Sequence, residues 1–168
     1  KNINLPDIEG STADKDEVLP KSVWSFSHLA LGVLAIFFYV GVEVAVGANI
    51  NLYAISLKDA DGSSLYTIAQ AAKMASLYWG GMLVGRLLGS FVSKISANVQ
   101  LLFTTIGAGV LVVLAMITGN PWLLVGVGLF HSIMWPAIFA LAIEGLGRYT
   151  SKGSGALMVG VVGGAILP

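Results

Sequence analysis

From Leu29 to Ile50 the chain is one apolar run whose single charged residue is Glu43. A hydrocarbon core about 30 Å thick is crossed by ~20 residues of α-helix, and this run is long enough to do it. Further segments of the same kind follow. The expected spans are 28–57, 69–93, 99–118 and 122–147, with a fifth, truncated, over 154–168. Strands are a poor alternative, because strict alternation is absent and a barrel strand needs only ~10 residues. The fold class expected is all-α, a polytopic membrane helical bundle.

Composition agrees. The chain is 56% hydrophobic and 11% charged, with mean hydropathy +0.84, where a soluble domain carries about 25% charged residues. A soluble interior of this size could not hide so much apolar surface, so the missing solvent is lipid. Zero net charge gives no basic face for nucleic acid. The absence of cysteine removes disulfides, thiolate nucleophiles and cysteine metal sites. No metal or cofactor is expected.

Residues 1–26 are polar, with Asp7, Glu9, Asp14, Asp16 and Glu17 against Lys1, Lys15 and Lys21, and Pro6, Gly10 and Pro20 interrupt any helix. They read as a surface loop leading into the bundle at 27–168. The chain starts at Lys1 and stops at Pro168 inside the apolar run Ala156 to Leu167, and both ends read as cuts in a longer protein. With the loop cytoplasmic, Lys15, Lys21, Lys94, Arg148 and Lys152 fall inside, against Lys58 and Lys73 outside.

Glu43 is the sharpest chemical signal. A charge at mid-span costs roughly 2.5–3.5 kcal/mol on insertion scales, so it should face protein or a water-filled cavity. Tyr39 and Gly47 lie one turn away on the same face. An acid beside an aromatic donor, with a small residue opening space, suits a hydroxylated solute or a proton; the alternative is a structural acid bonded to a neighbouring helix. Asn49 and Tyr53 form a second polar pair, suited to a cavity wall or to interhelical hydrogen bonds. Arg86 is placed either to snorkel to the inner interface beside Lys94 or to take part in gating. Gly81, Gly85, Gly89 and Ser93 repeat every four residues, as do Ala156, Gly160 and Gly164, and such stripes let helices approach closely. Pro136 frees a carbonyl near Ser132 and predicts a kink. Trp135 beside it is a stacking platform for a sugar ring or a packing aromatic. His131 is a weak proton-relay candidate, and Glu144 reads as a surface charge near the interface. Enzyme signatures (G-x-S-x-G, H-E-x-x-H, P-loop, G-x-G-x-x-G) are missing, and no enzymatic activity is expected.

Three blocks add a resemblance. PhePheTyrValGlyValGluValAlaValGly at 37–47, TyrTrpGlyGlyMetLeuValGlyArgLeuLeuGlySer at 78–90 and HisSerIleMetTrpProAlaIlePheAlaLeuAlaIleGluGlyLeuGlyArg at 131–148 resemble the fucose/glucose/galactose permease family of the major facilitator superfamily. ThrSerLysGlySerGly at 150–155 and GlyGlyAlaIleLeuPro at 163–168 do so too. The resemblance covers nearly everything after residue 26. It implies helices seven to eleven of twelve, a major-facilitator half domain, truncated, preceded by the end of the central cytoplasmic loop. It also implies proton-coupled sugar symport by alternating access, with the solute between two halves. The partners implied are a sugar, a coupling proton, the lipid bilayer and the absent N-terminal half, and the location is a bacterial inner membrane. An acid at position 43, where the fucose permease has an amide-type residue, points to the glucose/galactose branch. Since the family's coupling acids lie in the N-terminal half, the resemblance assigns Glu43 to sugar. Tyr39, Glu43 and Asn49 are then expected to meet sugar hydroxyls, Trp135 the ring, and Arg86 the inner gate. A facilitator for another small hydroxylated solute, or a scaffold with no solute path, are the rival readings; a scaffold has little reason to carry an acid at Glu43.

Overall fold

The computed structural model describes residues 22–91 and 95–168. The loop over 1–21, and Ser93 and Lys94, lie outside the described residues. Within these limits the chain is helical: α1 Ser27–Ser56, α2 Ile68–Phe91, α3 Ala97–Thr118, α4 Trp122–Ile143, α5 Thr150–Gly160 and the single turn α6 Gly163–Ile166. Short 3-10 turns at Val23–Ser25 and Gly147–Tyr149 lead into α1 and α5.

The buried residues of α1 include Leu29, Gly32, Ile36, Tyr39, Glu43, Gly47, Ile50 and Ala54, a stripe spaced three and four apart. That spacing keeps one face of a helix inward along its whole length. The opposite face shows Leu31, Leu34, Phe38, Val42 and Leu52, as expected where the surroundings are lipid. Among the described residues three helices, α1, α3 and α4, are long and apolar enough to cross a membrane. The second expected span is a helix of 24 residues; Gln70, Lys73, Arg86 and its glycines dilute its hydropathy. α4 ends at Ile143, short of the expected Gly147, because Gly145 and Gly147 take positive φ (71° and 52°) and turn the chain into α5. The fifth segment begins at Thr150 rather than Ser154 and breaks at Val161–Val162.

The loops have local causes. Asp59 Oδ1 accepts from the backbone N–H groups of Asp61 and Ser63, and Gly62 sits at φ 80°, so the Asp-Gly sequence makes the expected turn. Thr67 and Gln70 then form a reciprocal capping box at the start of α2: Thr67 N–H donates to Gln70 Oε1 (2.9 Å) and Gln70 N–H to Thr67 Oγ1 (3.2 Å). Gly119 closes α3 in the left-handed region, and Asn120 Oδ1 accepts from Trp122 N–H to open α4.

α4 is the central element, packed against α1, α2, α3 and α5. Both small-residue stripes are packing surfaces. A methyl group on Gly85 would run into the Ser132 side chain, and one on Gly89 would stand 3.3 Å from Ile133, so the α2 stripe lies on α4; at Gly81 the nearest atom, on Leu129, is 3.8 Å off. The second stripe seats α5 and α6 on α1, with Gly160 against Val33 O and Gly164 against Val40. α3 buries only Thr104, Ala108 and Ala115 and is the most outward of the long helices.

Candidate functional site

Where α1, α2, α4 and the break after α5 meet, a cavity of about 490 Å³ is lined by Val40, Glu43, Arg86, Trp135, Pro136 and Val161. Four of the residues singled out in the sequence, from three helices, therefore share one wall. Glu43 is buried, and its carboxylate is within electrostatic reach of the Arg86 guanidinium. Arg86 thus borders the acid's cavity, which the snorkelling alternative did not require. Trp135 is half-buried and stacks on Phe139 with centroids 5.1 Å apart and planes at 16°. That stack fixes the indole at the cavity edge. α4 continues through Pro136, and the proline also borders a second cavity of about 440 Å³ with Ile95, Ser96, Ala97, Gln100, Ala137 and Ala140. The first cavity can surround a small polar solute with an acid, a cation and an aromatic face, the mixture expected of a solute site.

Behind this wall lies a buried polar cluster. Tyr39 Oη donates to the backbone carbonyl of His131 (2.7 Å). Tyr78 Oη is 3.0 Å from the backbone carbonyl of Glu43 and 2.8 Å from His131 Nδ1. Both tyrosine rings meet the imidazole edge-on, at 5.7 Å and 6.2 Å. Tyr39 is thus beside Glu43, as expected, with its hydroxyl already engaged on α4.

Asn49 is not brought to this place. Six residues from Glu43, it points away from the acid's face, is exposed, and donates from Nδ2 to the Ala45 carbonyl of its own helix (2.8 Å). Its partner in the expected pair, Tyr53, bonds across to the Ala115 carbonyl of α3 (3.3 Å), the interhelical role.

No protein-family model matches the chain. A Helicobacter pylori protein assigned to glucose/galactose transport is 42% identical over 170 residues, covering 99% of this chain and 40% of that protein. A Brucella abortus glucose/galactose transporter is 39% identical over 170 residues, covering 97% of this chain and 40% of its own length. Among solved structures, the Escherichia coli fucose:proton symporter FucP matches with TM-score 0.74 and 25% identity over 86% of this chain and 35% of FucP, and FucP is a major facilitator superfamily transporter. The chain is similar in sequence to these glucose/galactose transporters, and in sequence and fold to FucP. It spans about 40% of the length of the curated relatives it matches.

The apolar helices, together with this similarity, make the chain a multi-pass membrane protein; the relatives themselves are transporters. The residue that sequence reasoning passed over is Tyr78. It lay inside one of the family blocks, yet nothing local marks a tyrosine whose partners are 35 and 53 residues away. The available signal was indirect: Gly47, already noted beside Glu43, faces the Tyr78 ring.

Proposed function

We propose that this chain forms one wall of the sugar cavity in a secondary active sugar transporter of a bacterial inner membrane, its helices corresponding to the seventh to eleventh of twelve. The single observation that carries the reading is the cavity shared by Glu43, Arg86, Trp135 and Pro136. A carboxylate accepts strongly from sugar hydroxyls, a guanidinium donates to them, and an indole face covers the apolar side of a pyranose ring. Glucose and galactose are the proposed substrates, after the relatives from Helicobacter pylori and Brucella abortus. Proton symport is proposed after FucP. The other half of the transporter would close the cavity and alternate its access.

The test uses the full-length transporter that contains this sequence, reconstituted in proteoliposomes. Counterflow of labelled glucose and galactose is expected, together with uphill uptake driven by an inward proton gradient. Movement of neither sugar would remove the substrate assignment; uptake indifferent to the gradient would remove the coupling. Trp135→Ala is expected to raise the counterflow KM about three- to tenfold, the scale of one aromatic contact, with Trp135→Phe between it and wild type. Equal KM values in all three would show that the indole is packing against Phe139 only.

A further inference from the structure

Tyr78 occupies a socket made for it. It is fully buried. A methyl group on Gly47 of α1 would lie 2.8 Å from its ring, and one on Gly128 of α4 would lie 2.5 Å from its backbone oxygen. Gly47 thus admits the Tyr78 ring together with that of Trp79, which would lie 2.5 Å from the same methyl, and Gly128 lets α4 close on the Tyr78 backbone. At the end of that socket its hydroxyl meets two groups, the Glu43 carbonyl at 3.0 Å and His131 Nδ1 at 2.8 Å. A carbonyl only accepts, and a phenol has one proton to give. The proton therefore goes to the Glu43 carbonyl, and His131 Nδ1 must carry a hydrogen and donate to the phenolic oxygen. The ring nitrogens of a neutral histidine are fixed by such a partner, which leaves Nε2 as the acceptor. Tyr39 holds the same residue from the other side, through the His131 carbonyl at 2.7 Å.

We propose that Tyr78 is a positioning residue for Glu43: with the Nδ1–H form of His131 it ties α1, α2 and α4 together at the Glu43 backbone and so fixes where the carboxylate enters the cavity. The role assigned to Glu43 rests on the transport reading above; the tie itself does not. It also gives His131 a different part from the proton relay considered from sequence. A relay passes its proton through both ring nitrogens, and losing the Nδ1 hydrogen would leave the Tyr78 oxygen without its donor.

Two measurements on the full-length protein in lipid nanodiscs and proteoliposomes test this. In the first, nitrogen NMR of histidine-labelled protein, with the His131 signals identified by their loss in His131→Asn, is expected to show a protonated Nδ1 and a bare Nε2 at neutral pH. A bare Nδ1 in the wild type overturns the proposal whatever the sugar results. In the second, counterflow KM and Vmax are measured for whichever of glucose, galactose or fucose the wild type moves. Tyr78→Phe keeps the ring and loses the hydroxyl; it is expected to raise KM about tenfold through misplacement of the acid, with Vmax unchanged. His131→Gln places its amide near the Nε2 position and should show the same loss. His131→Asn, whose amide nitrogen can stand where Nδ1 was, should rescue the KM. A wild-type KM in Tyr78→Phe, or equal loss in the asparagine and glutamine variants, overturns the proposal. Should Tyr78→Phe fail to reach the membrane, the histidine pair decides alone. Should the wild type move no sugar, the transport reading fails and the NMR result judges the tie.

Discussion

Replacing Glu43 with leucine is expected to raise the KM for sugar counterflow by roughly 100-fold, and with glutamine by about tenfold, while the protein becomes no less stable. A hydrogen bond to a charged acceptor contributes about 1.5–3 kcal/mol against ~1 kcal/mol for a neutral one, and each ~1.4 kcal/mol is a factor of ten in affinity. Glutamine keeps an acceptor and forfeits the charge; leucine forfeits both. Stability runs the other way. The acid sits buried in a membrane span, where a charge costs roughly 2.5–3.5 kcal/mol on insertion scales, so its removal should leave the melting temperature in detergent level or higher. The two readouts together separate the roles. A structural acid would show falling melting temperatures with an unchanged KM, and that pattern would remove Glu43 from the proposed sugar site.

Gly128→Ala should be the most damaging single-methyl change in the α2–α4 interface. The new carbon would lie 2.5 Å from the backbone oxygen of Tyr78, with a ring carbon of the same residue at 3.2 Å. A flexible side chain could swing aside; a helix backbone cannot, so α2 must move from α4. Overpacking of this kind costs about 1–3 kcal/mol, and a collision with backbone belongs at the upper end. Gly81→Ala is the internal comparison, since its nearest neighbour atom would be 3.8 Å away, ordinary contact. Size-exclusion profiles and thermal melts of the purified full-length protein should show Gly81→Ala near wild type and Gly128→Ala several degrees lower or aggregated. Equal melts for the two would mean that α2 and α4 are not packed this tightly.

What could be read from the sequence was what lies along one helix. Glu43, Tyr39 and Gly47 share a face of α1 because residues four apart do, and the structure buries that face. Trp135 and Pro136 were marked by chemistry that a helix rarely carries without reason. Their meeting with Glu43 and Arg86 in one cavity is a fact of tertiary packing, and periodicity does not report it. Asn49 shows the limit on the polar side: an amide in a span can satisfy itself on its own helix, here at the Ala45 carbonyl, and then need not mark a solute path. Tyr78 shows the reverse. Its environment reads as plain packing in sequence, and its significance comes from one carbonyl and one imidazole on other helices. The early end of α4 was written in Gly145 and Gly147, whose positive φ values a helical run cannot absorb.

α1 is 30 residues long and α3 and α4 are 22 each, which at 1.5 Å per residue makes about 45 Å against about 33 Å. A bilayer core about 30 Å thick fits the shorter pair nearly upright and must tilt α1 or let its ends project. α1 is gripped by α2, α4, α5 and α6, so it cannot lean by itself. Membrane thickness therefore acts on the bundle as a unit, and the angle at which the Glu43 cavity meets the plane of the bilayer becomes a property of the host lipid as well as of the protein.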